Sequence, residues 1–393
     1  MSAAVIVDAV RSPMGRGKPG GALAGVHPVG LLAQVLTALV ERTGLDPGTV
    51  DDVIVGCVGQ AGEQSATPGR QAWLAAGFPE HVPSVTIERK CGSGQQALDF
   101  AVQGVAAGAY DIVIAAGVES MSRVPMGSAR MGADPFGPDV LTRFAPVPQG
   151  VAAELVADKW GLMREALDAY AVRSHTRAAQ AAASGAFDRE IVPITTADGV
   201  VSADETVRPG STIERLAALP PAFAGSEHAA RFPRLDWKIT AGNSSQLTDG
   251  AAAMLVMSEE RAAALGRTPR GRVVASAVRG DDPVLMLTGP IPATRTLLRR
   301  CGLSLDDVAA AEVNEAFACV PLAWQTEFGL DDDRLNPRGG AIALGHPLGA
   351  SGIRLATTLL GFLEDTGGRY GLQTMCEAGG MANALILENL GAR

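Results

Sequence analysis

The chain has 393 residues, 47% of them hydrophobic and 19% charged, so it can bury a large core and is not wholly disordered. A domain usually contains about 100–200 residues, and the length therefore predicts two or three domains. The 33 basic and 42 acidic residues give a net charge of −9, without a cluster of Lys or Arg. We therefore expect neither a nucleic acid nor an anionic membrane surface as a partner, because phosphate-rich surfaces require clustered positive charge.

The five cysteines, at positions 57, 91, 301, 319 and 376, are odd in number and form no Cys-x-x-Cys pair. This pattern disfavours a disulfide framework and a zinc site, so no metal is expected. No basic leader precedes the first apolar run, and no apolar stretch reaches the roughly 18 residues of a membrane span. These features predict a soluble cytoplasmic protein.

Short apolar segments alternate with longer alanine-rich segments along most of the chain, which is typical of an α/β fold. In chain order, the pattern predicts a strand over 4–9, a helix over 29–43, buried strands over 53–57 and 85–88, a helix over 93–107 and a buried strand over 112–116. Between 118 and 245 strand signals become rare, and helices are predicted over 151–160 and 164–184. The alternation returns with a strand over 251–257 and continues to the end, including a strand over 372–375.

The two halves of the chain share a spacing that indicates an internal repeat. Cys91 lies 39 positions after Asp52, and His346 lies 39 positions after Asp307. In both halves the second residue precedes a run of small residues, then a predicted helix and an apolar strand. We interpret this as a duplicated α/β unit, divided into a first lobe (1–117 with 246–268), an inserted segment (118–245) and a second lobe (269–393).

Cys91 is the first candidate for chemistry, because it stands where a predicted strand ends and the helix over 93–107 begins. Unsatisfied N–H groups and the dipole at a helix N-terminus stabilise a thiolate. The following Gly92-Ser93-Gly94 leaves room for an acyl group and free N–H groups for an oxyanion. The alternative is a buried cysteine that only fills a tight turn.

Three further residues complete a candidate site. His346 occupies the repeat position equivalent to Cys91, and related lobes would bring the two together as a thiol and its base, unless His346 is simply a core histidine. Asn314 stands between a predicted strand and a helix, where its amide can polarise a carbonyl or serve as a helix cap. Cys376 follows another predicted strand and is a weak signal by itself.

Taken together, these motifs resemble those of the thiolase family, the acetyl-CoA acyltransferases, along essentially the whole chain. The matching motifs are Cys91-Gly92-Ser93-Gly94, Asn314-Glu315-Ala316-Phe317, Gly345-His346-Pro347-Leu348-Gly349-Ala350-Ser351-Gly352 and Cys376-Glu377-Ala378-Gly379-Gly380. The resemblance implies a five-layer αβαβα sandwich of two five-stranded lobes, with the inserted segment as a coenzyme A-binding loop domain. It also implies a homodimer or a homotetramer.

The resemblance further implies CoA-dependent thiolytic cleavage of a 3-oxoacyl-CoA to acetyl-CoA and a shortened acyl-CoA, reversible as a Claisen condensation. CoA would be a co-substrate, and no cofactor would be bound. Cys91 would become acylated, with His346 as its base, and Cys376 would exchange a proton with the α-carbon. Asn314 would stabilise the enolate oxygen through a water. The backbone N–H groups of Cys91 and Ala378 would stabilise the tetrahedral oxyanion.

The resemblance also extends to the family's CoA contacts, which correspond to Arg208, Phe223, Ala241, Ser245 and Phe317. It implies that Arg208 lies near the adenine and phosphates, Phe223 and the turn containing Ala241 and Ser245 lie near the pantetheine, and Phe317 lines the same tunnel. Three of them have an ordinary alternative: Arg208 as a solvated surface charge, Phe223 as a core residue and Ser245 as a helix cap.

Three features depart from the family pattern. Ala378 replaces a usual glycine and can supply its backbone N–H only with an allowed φ. Pro148-Gln149-Gly150 replaces the His-Met-Gly of many acetoacetyl-CoA-forming members, and the segment 225–236 is longer than usual. These departures favour degradation of acyl groups larger than acetoacetyl, such as fatty acids, over the alternative of a biosynthetic acetoacetyl-CoA thiolase.

Other classes of protein are weaker alternatives. A β-ketoacyl carrier-protein synthase would have a second His or an Asn where Cys376 stands. A non-catalytic lipid-binding protein would not need Cys91, His346 and Cys376 intact. A cysteine hydrolase fits least, because it leaves Cys376 without a role.

Overall fold

The computed structural model describes residues 3–391, so the outermost residues of the two predicted lobes, 1–2 and 392–393, lie outside the described part. Within it the chain forms twelve strands and twelve α-helices. The strands are β1 (Ala4–Arg11), β2 (Gly15–Arg16), β3 (Asp52–Gly56), β4 (Ser84–Ile87), β5 (Ile112–Ser120), β6 (Ile194–Thr196), β7 (Gly199–Val201), β8 (Thr248–Ser258), β9 (Gly271–Gly280), β10 (Val308–Val313), β11 (Tyr370–Glu377) and β12 (Met381–Asn389). The helices are α1 (Pro28–Thr43), α2 (Pro68–Ala75), α3 (Ser93–Ala106), α4 (Gly137–Phe144), α5 (Gln149–Lys159), α6 (Arg164–Ala183), α7 (Ile213–Ala217), α8 (Glu259–Ala264), α9 (Pro290–Cys301), α10 (Cys319–Phe328), α11 (Ala341–Leu344) and α12 (Leu348–Thr366).

One large sheet consists of two similar halves. The first half has the order β1-β8-β5-β3-β4, with β2 beside β8, and the second has the order β9-β12-β11-β10. The halves join where Ile6 of β1 pairs with Gly271 of β9. Strand directions also correspond, since β5 and β11 each have one antiparallel neighbour (β8, β12) and one parallel neighbour (β3, β10). A duplicated α/β unit produces this internal symmetry.

Helices cover and separate the two half-sheets in five layers. α3 and α12 pack between the half-sheets, where Ile54 and Val256 of the first half share a core with Ala310 and Leu385 of the second. α1 and α2 cover the outer face of the first half, and α9 and α10 cover that of the second. The predicted α/β sandwich with five layers is therefore confirmed.

The inner helix α12 is apolar over most of its surface because both half-sheets pack against it. Its buried side chains include Ile353, Leu355, Leu359 and Leu363, which do not share one narrow face. Arg354, Thr357 and Thr358 are buried on another side of the helix, where the hydroxyl of Thr358 donates to the carboxylate of Glu190 at 3.0 Å. This burial fixes the position of the helix N-terminus, next to which His346 stands.

Two expectations about strands are wrong. The sequence predicts a buried strand over 85–88, but β4 is the outer edge of the first half-sheet and Val85 is 43% exposed. Apolar composition alone does not distinguish an edge strand from a central one. The second half-sheet has four strands instead of five, and within residues 3–391 a parallel bridge between Ala311 and Leu335 stands in place of the fifth.

The segment between β5 and β8 contains α4 to α7 and the β6–β7 hairpin. The boundaries of the three segments expected from the sequence stay a prediction. No helix among residues 3–391 is both long enough and apolar enough to cross a membrane. Nor does this part of the chain gather three or more His, Cys, Asp or Glu side chains in a way that could hold a metal ion.

Candidate active site

The N-terminal turns of α3 and α12 meet between the half-sheets, and glycines make this approach possible. A methyl group on Gly352 would lie 2.0 Å from a backbone nitrogen of α3, and one on Gly94 would lie 2.6 Å from the carbonyl oxygen of Gly349. Contacts this close require glycine. Cys91 and His346 stand just before the first residues of these two helices, and so both lie at this junction. The repeat predicts equivalent positions for Cys91 and His346, and in the structure both stand where α3 and α12 meet.

Cys91 is a buried thiol whose surroundings act on it in opposite directions. Three groups near its sulfur favour the thiolate, namely the backbone N–H groups of Cys91 and Ala378 and the side chain of Gln149. Burial and the nearby carboxyl of Glu377 outweigh them and raise the pKa of the Cys91 thiol to about 12. In the free protein, desolvation therefore outweighs the stabilisation that the helix N-terminus offers a thiolate.

The two ring nitrogens of His346 have different partners, which fixes their protonation. Nδ1 lies 2.6 Å from the hydroxyl of Ser351, and that hydroxyl donates its proton to the carbonyl of Pro347 at 2.8 Å. The hydroxyl oxygen must therefore accept from Nδ1–H, which leaves Nε2 unprotonated and able to act as a base. Burial and the guanidinium of Arg354 lower the pKa of His346 to about 3, so the imidazole is neutral.

Asn314 follows β10 directly and places its amide beside the free nitrogen of His346. The distance between Asn314 Nδ2 and His346 Nε2 is 3.4 Å. The backbone N–H of Asn314 donates to the carbonyl of Thr374 at 3.0 Å, which ties this loop to β11. Oδ1 of Asn314 has no hydrogen-bond partner among residues 3–391. Because α10 begins only at Cys319, Asn314 is not a helix cap, and its open amide can hold a water or a substrate oxygen.

Glu315 holds the Asn314 loop rigidly in place. Its buried carboxylate accepts from the hydroxyls of Tyr170 at 2.9 Å and Ser174 at 2.6 Å, and from the backbone N–H of Ile342 at 3.0 Å. The side chain of Asn336 adds a fourth hydrogen bond, at 3.0 Å. A buried carboxylate with this many donors is well satisfied and specifies one conformation of the loop.

Cys376 and Ala378 lie at the end of β11, on the side of the site facing Cys91. The thiol of Cys376 is buried, and its pKa is raised well above the ordinary value by burial and by the proximity of Cys91 and Cys319. Ala378 is not among the described residues with positive φ, whereas Gly379 (φ 90°) makes the following turn. Alanine at position 378 is therefore unstrained, and its N–H reaches the sulfur of Cys91.

Three of the residues that resemble CoA contacts lie together. Ala241 and Ser245 belong to the turn over 240–245, and Ser245 donates its N–H to the carbonyl of Ala316 at 3.0 Å. The neighbouring Ser244 forms a bridge with Phe317. No helix begins at Ser245, so the helix-cap alternative is wrong for this residue. This turn and the Asn314 loop thus form one continuous wall.

The other two candidates flank this wall. Arg208 is exposed, and its guanidinium donates to the side chain of Gln246 at 2.9 Å, one residue beyond the turn. The ring of Phe223 packs on Gly150, where a methyl group would lie 2.0 Å from it. Phe223 is thereby fixed next to Gln149, which touches Cys91. The segment 225–236 is mostly exposed and lies beside the end of α4, where Arg231 donates to the carbonyl of Ala145.

The sequence motifs predict no role for Gln149, Ser351 or Glu377. In the structure Gln149 and Glu377 lie near Cys91, and Ser351 lies beside His346. Each is in a motif already singled out, and Ser351 is five positions after His346. The motifs place these residues near the chemistry, but which atoms they touch depends on contacts between elements far apart in sequence. Local spacing carries no signal for such contacts.

Two family models match the chain: the N-terminal domain of thiolase over residues 4–260 and the C-terminal domain of thiolase over residues 267–389. A steroid 3-ketoacyl-CoA thiolase of Mycobacterium tuberculosis is 46% identical, over 99% of this chain and 95% of that protein. A β-ketoadipyl-CoA thiolase of Escherichia coli is 45% identical, over 99% of this chain and 100% of that protein. A solved acetyl-CoA acetyltransferase of Bacillus anthracis superposes with a TM-score of 0.88 at 39% identity, covering 99% of both chains.

Proposed function

This chain belongs to the thiolase family, and we propose that it cleaves 3-oxoacyl-CoA with CoA to acetyl-CoA and a shortened acyl-CoA, through an acyl-cysteine intermediate. It is an acyltransferase. The observation that supports the proposal is that two buried thiols, Cys91 and Cys376, lie close together. The neutral imidazole of His346, with a free Nε2, stands at the same helix junction as Cys91. A carbon–carbon cleavage needs two separate proton-transfer groups besides the nucleophile, and this set supplies them.

In the first half-reaction, the sulfur of Cys91 attacks the 3-keto carbon while its proton passes to Nε2 of His346. The N–H groups of Cys91 and Ala378, already directed at that sulfur, stabilise the oxyanion. The bond between C2 and C3 then breaks, leaving an acyl group on Cys91 and the enolate of acetyl-CoA. Cys376 donates its proton to the enolate carbon, and Asn314 stabilises the enolate oxygen through a water.

In the second half-reaction, CoA attacks the thioester on Cys91. His346 first passes the proton that it took from Cys91 to the thiolate of Cys376. It then accepts the proton of the CoA thiol and delivers it to the sulfur of Cys91 as the shortened acyl-CoA leaves. The raised pKa of both thiols and the lowered pKa of His346 mean that all three are neutral before substrate binds. Charge therefore forms only as the reaction proceeds, among side chains that are buried from bulk solvent.

We infer that CoA lies along the wall formed by the turn over 240–245 and the Asn314 loop. Ala241, Ser245 and Phe317 would contact the pantetheine together with Phe223, and the exposed guanidinium of Arg208 would pair with phosphate. The inserted segment 118–245 would then carry most CoA contacts, as a loop domain between the two halves of the first lobe. We further propose a homodimer or homotetramer in the cytoplasm, with no bound cofactor.

The substrate that we propose is an acyl group larger than acetoacetyl, used in degradation. Pro148 stands where many acetoacetyl-CoA-forming members of the family have a histidine, so that imidazole is lost beside the acyl site, and relatives carry names that specify steroid and β-ketoadipyl substrates. With a panel of 3-oxoacyl-CoAs, we expect kcat/KM for the best long, branched or ring-bearing substrate to exceed that for acetoacetyl-CoA by about tenfold or more. The Cys91→Ala variant gives the background rate. Acetoacetyl-CoA as the best substrate would instead favour the biosynthetic alternative.

Ser351→Ala is expected to lower kcat about 10²-fold with little change in KM, because the imidazole loses the acceptor that keeps its proton on Nδ1. Ser351→Thr is the matched control, since it retains a hydroxyl at the same position. Steady-state thiolysis of the best substrate measures both variants. An equal loss in both would mean that Ser351 matters only for packing at the start of α12.

A further inference from the structure

Glu377 is a buried carboxyl that the mechanism above does not use. It is the last residue of β11, directly after Cys376, and neither of its carboxyl oxygens has a hydrogen-bond partner among residues 3–391. The carboxyl packs against the α-carbon of Gly92, where a methyl group would lie 1.9 Å from Oε1. Asn383 of β12 donates to the carbonyl of Gly92 at 3.1 Å. Glu377 and Asn383 thus both pack against Gly92, in the turn that carries Cys91.

The charged neighbours of Glu377 come from three elements. Asp99 of α3 is a second buried carboxyl, Arg89 just before the Cys91 turn is the cation, and the thiols of Cys91 and Cys376 are the remaining titratable groups. The residues of β12 opposite, Met381 and Asn383, carry no charge. Two buried carboxyls thus face a single guanidinium, so ionisation of both would leave one negative charge uncompensated.

We propose that Glu377 is a positioning residue that acts on Cys91 through its own charge: it supports the turn as a neutral acid, and its ionisation makes the Cys91 thiolate harder to form. This role rests on the proposed function of Cys91 as the nucleophile. The unpartnered oxygens are the geometric basis, since an ionised carboxylate buried without donors is unfavourable, whereas a neutral acid is tolerated.

The direction of the charge effects supports this role. Burial and the like charge of Asp99 raise the pKa of Glu377 to about 8, while Arg89 lowers it. Asp99 itself has a pKa raised to about 8 by burial. A negative Glu377 in turn raises the pKa of Cys91. Above about pH 8, therefore, the ionised Glu377 opposes ionisation of Cys91, and the thiolate fraction of Cys91 rises less steeply with pH.

Alkylation of Cys91 by iodoacetamide, located by peptide mass spectrometry and timed from pH 6.5 to 9.5, tests the proposal without relying on turnover. In the wild type, a plot of the logarithm of the rate against pH should bend at about pH 8. Above this pH the rate should rise by less than tenfold per pH unit, since an ionised neighbour moves a pKa by about one unit or more. In Glu377→Gln this bend should be absent, so the ratio of the rates at pH 9.5 and 6.5 should be about tenfold larger. Glu364→Gln, at the far end of α12, is the matched control and should keep the bend.

Two further variants keep the test decisive if Glu377→Gln does not fold. Asp99→Asn removes the like charge and should move the bend to lower pH, whereas Arg89→Met removes the cation and should move it to higher pH. An unchanged bend in Glu377→Gln, or in both of the other variants, would overturn the role of Glu377 alone. Absence of any adduct on Cys91 in the wild type, with other cysteines labelled, would overturn the nucleophile assignment as well.

Discussion

The variant Cys91→Ala is expected to lose thiolysis by at least about 10⁴-fold and to form no acyl adduct, because the nucleophile is removed and no other group can take its place. The other nearby thiol, Cys376, lies near the end of a strand, whereas the sulfur of Cys91 has the N–H groups of Cys91 and Ala378 and the side chain of Gln149 around it. Intact-mass spectrometry after mixing with acetyl-CoA detects the adduct, and a spectrophotometric thiolysis assay measures the rate. Circular dichroism establishes that the variant is folded.

Cys319→Ala is the matched control for this experiment. Cys319 is also a fully buried thiol at the start of a helix, α10, and burial also raises its pKa. It lies near Cys376 in the apolar core of the second lobe, but it is not among the groups that act on the sulfur of Cys91. The control should still accept an acetyl group and should retain most of the activity. An adduct on Cys91→Ala, or loss of the adduct in Cys319→Ala, would contradict the assignment of the nucleophile.

The sequence predicts the architecture and the principal site residues because both depend on local patterns. Helix α1 is predicted over 29–43 and observed over Pro28–Thr43, since Gly44 adopts the left-handed conformation that ends it, with φ 56°. The 39-residue spacing places Cys91 and His346 at equivalent points, and the structure has both at the junction of α3 and α12. Composition predicts such elements well where the apolar pattern and the turn residues agree.

The electrostatics of the site could not be predicted from local patterns. A helix N-terminus favours a thiolate, but the half-sheets bury Cys91 so deeply that desolvation dominates its pKa. The proton on Nδ1 of His346 depends on where the hydroxyl of Ser351 donates, which only the folded turn defines. Likewise, Gln149 reaches Cys91 from α5, 58 positions away in the sequence, where no motif relates the two. Burial and cross-chain contacts are tertiary properties.

Cys376→Ala separates the roles of the two site thiols. Transfer of an acetyl group from acetyl-CoA to Cys91 needs Cys91, His346 and the oxyanion donors, but no proton on a carbon atom. We therefore expect the variant to form the acetyl adduct normally. Thiolysis and condensation both require a proton at the α-carbon, and we expect each to fall by about 10²–10⁴-fold, the usual contribution of a general acid or base.

The measurement combines the two readouts on one sample of Cys376→Ala. Intact mass after mixing with acetyl-CoA reports the first step, and exchange of the α-protons of acetyl-CoA for deuterium, followed by NMR, reports the second. The adduct should form while the exchange is lost, and in Cys319→Ala both should persist. The thiol of Cys376 has its pKa raised by burial and by Cys91, which suits a group that must keep its proton until the enolate appears. A folded Cys376→Ala without an adduct, or with undiminished exchange, would mean that Cys376 is not the group that acts on the α-carbon.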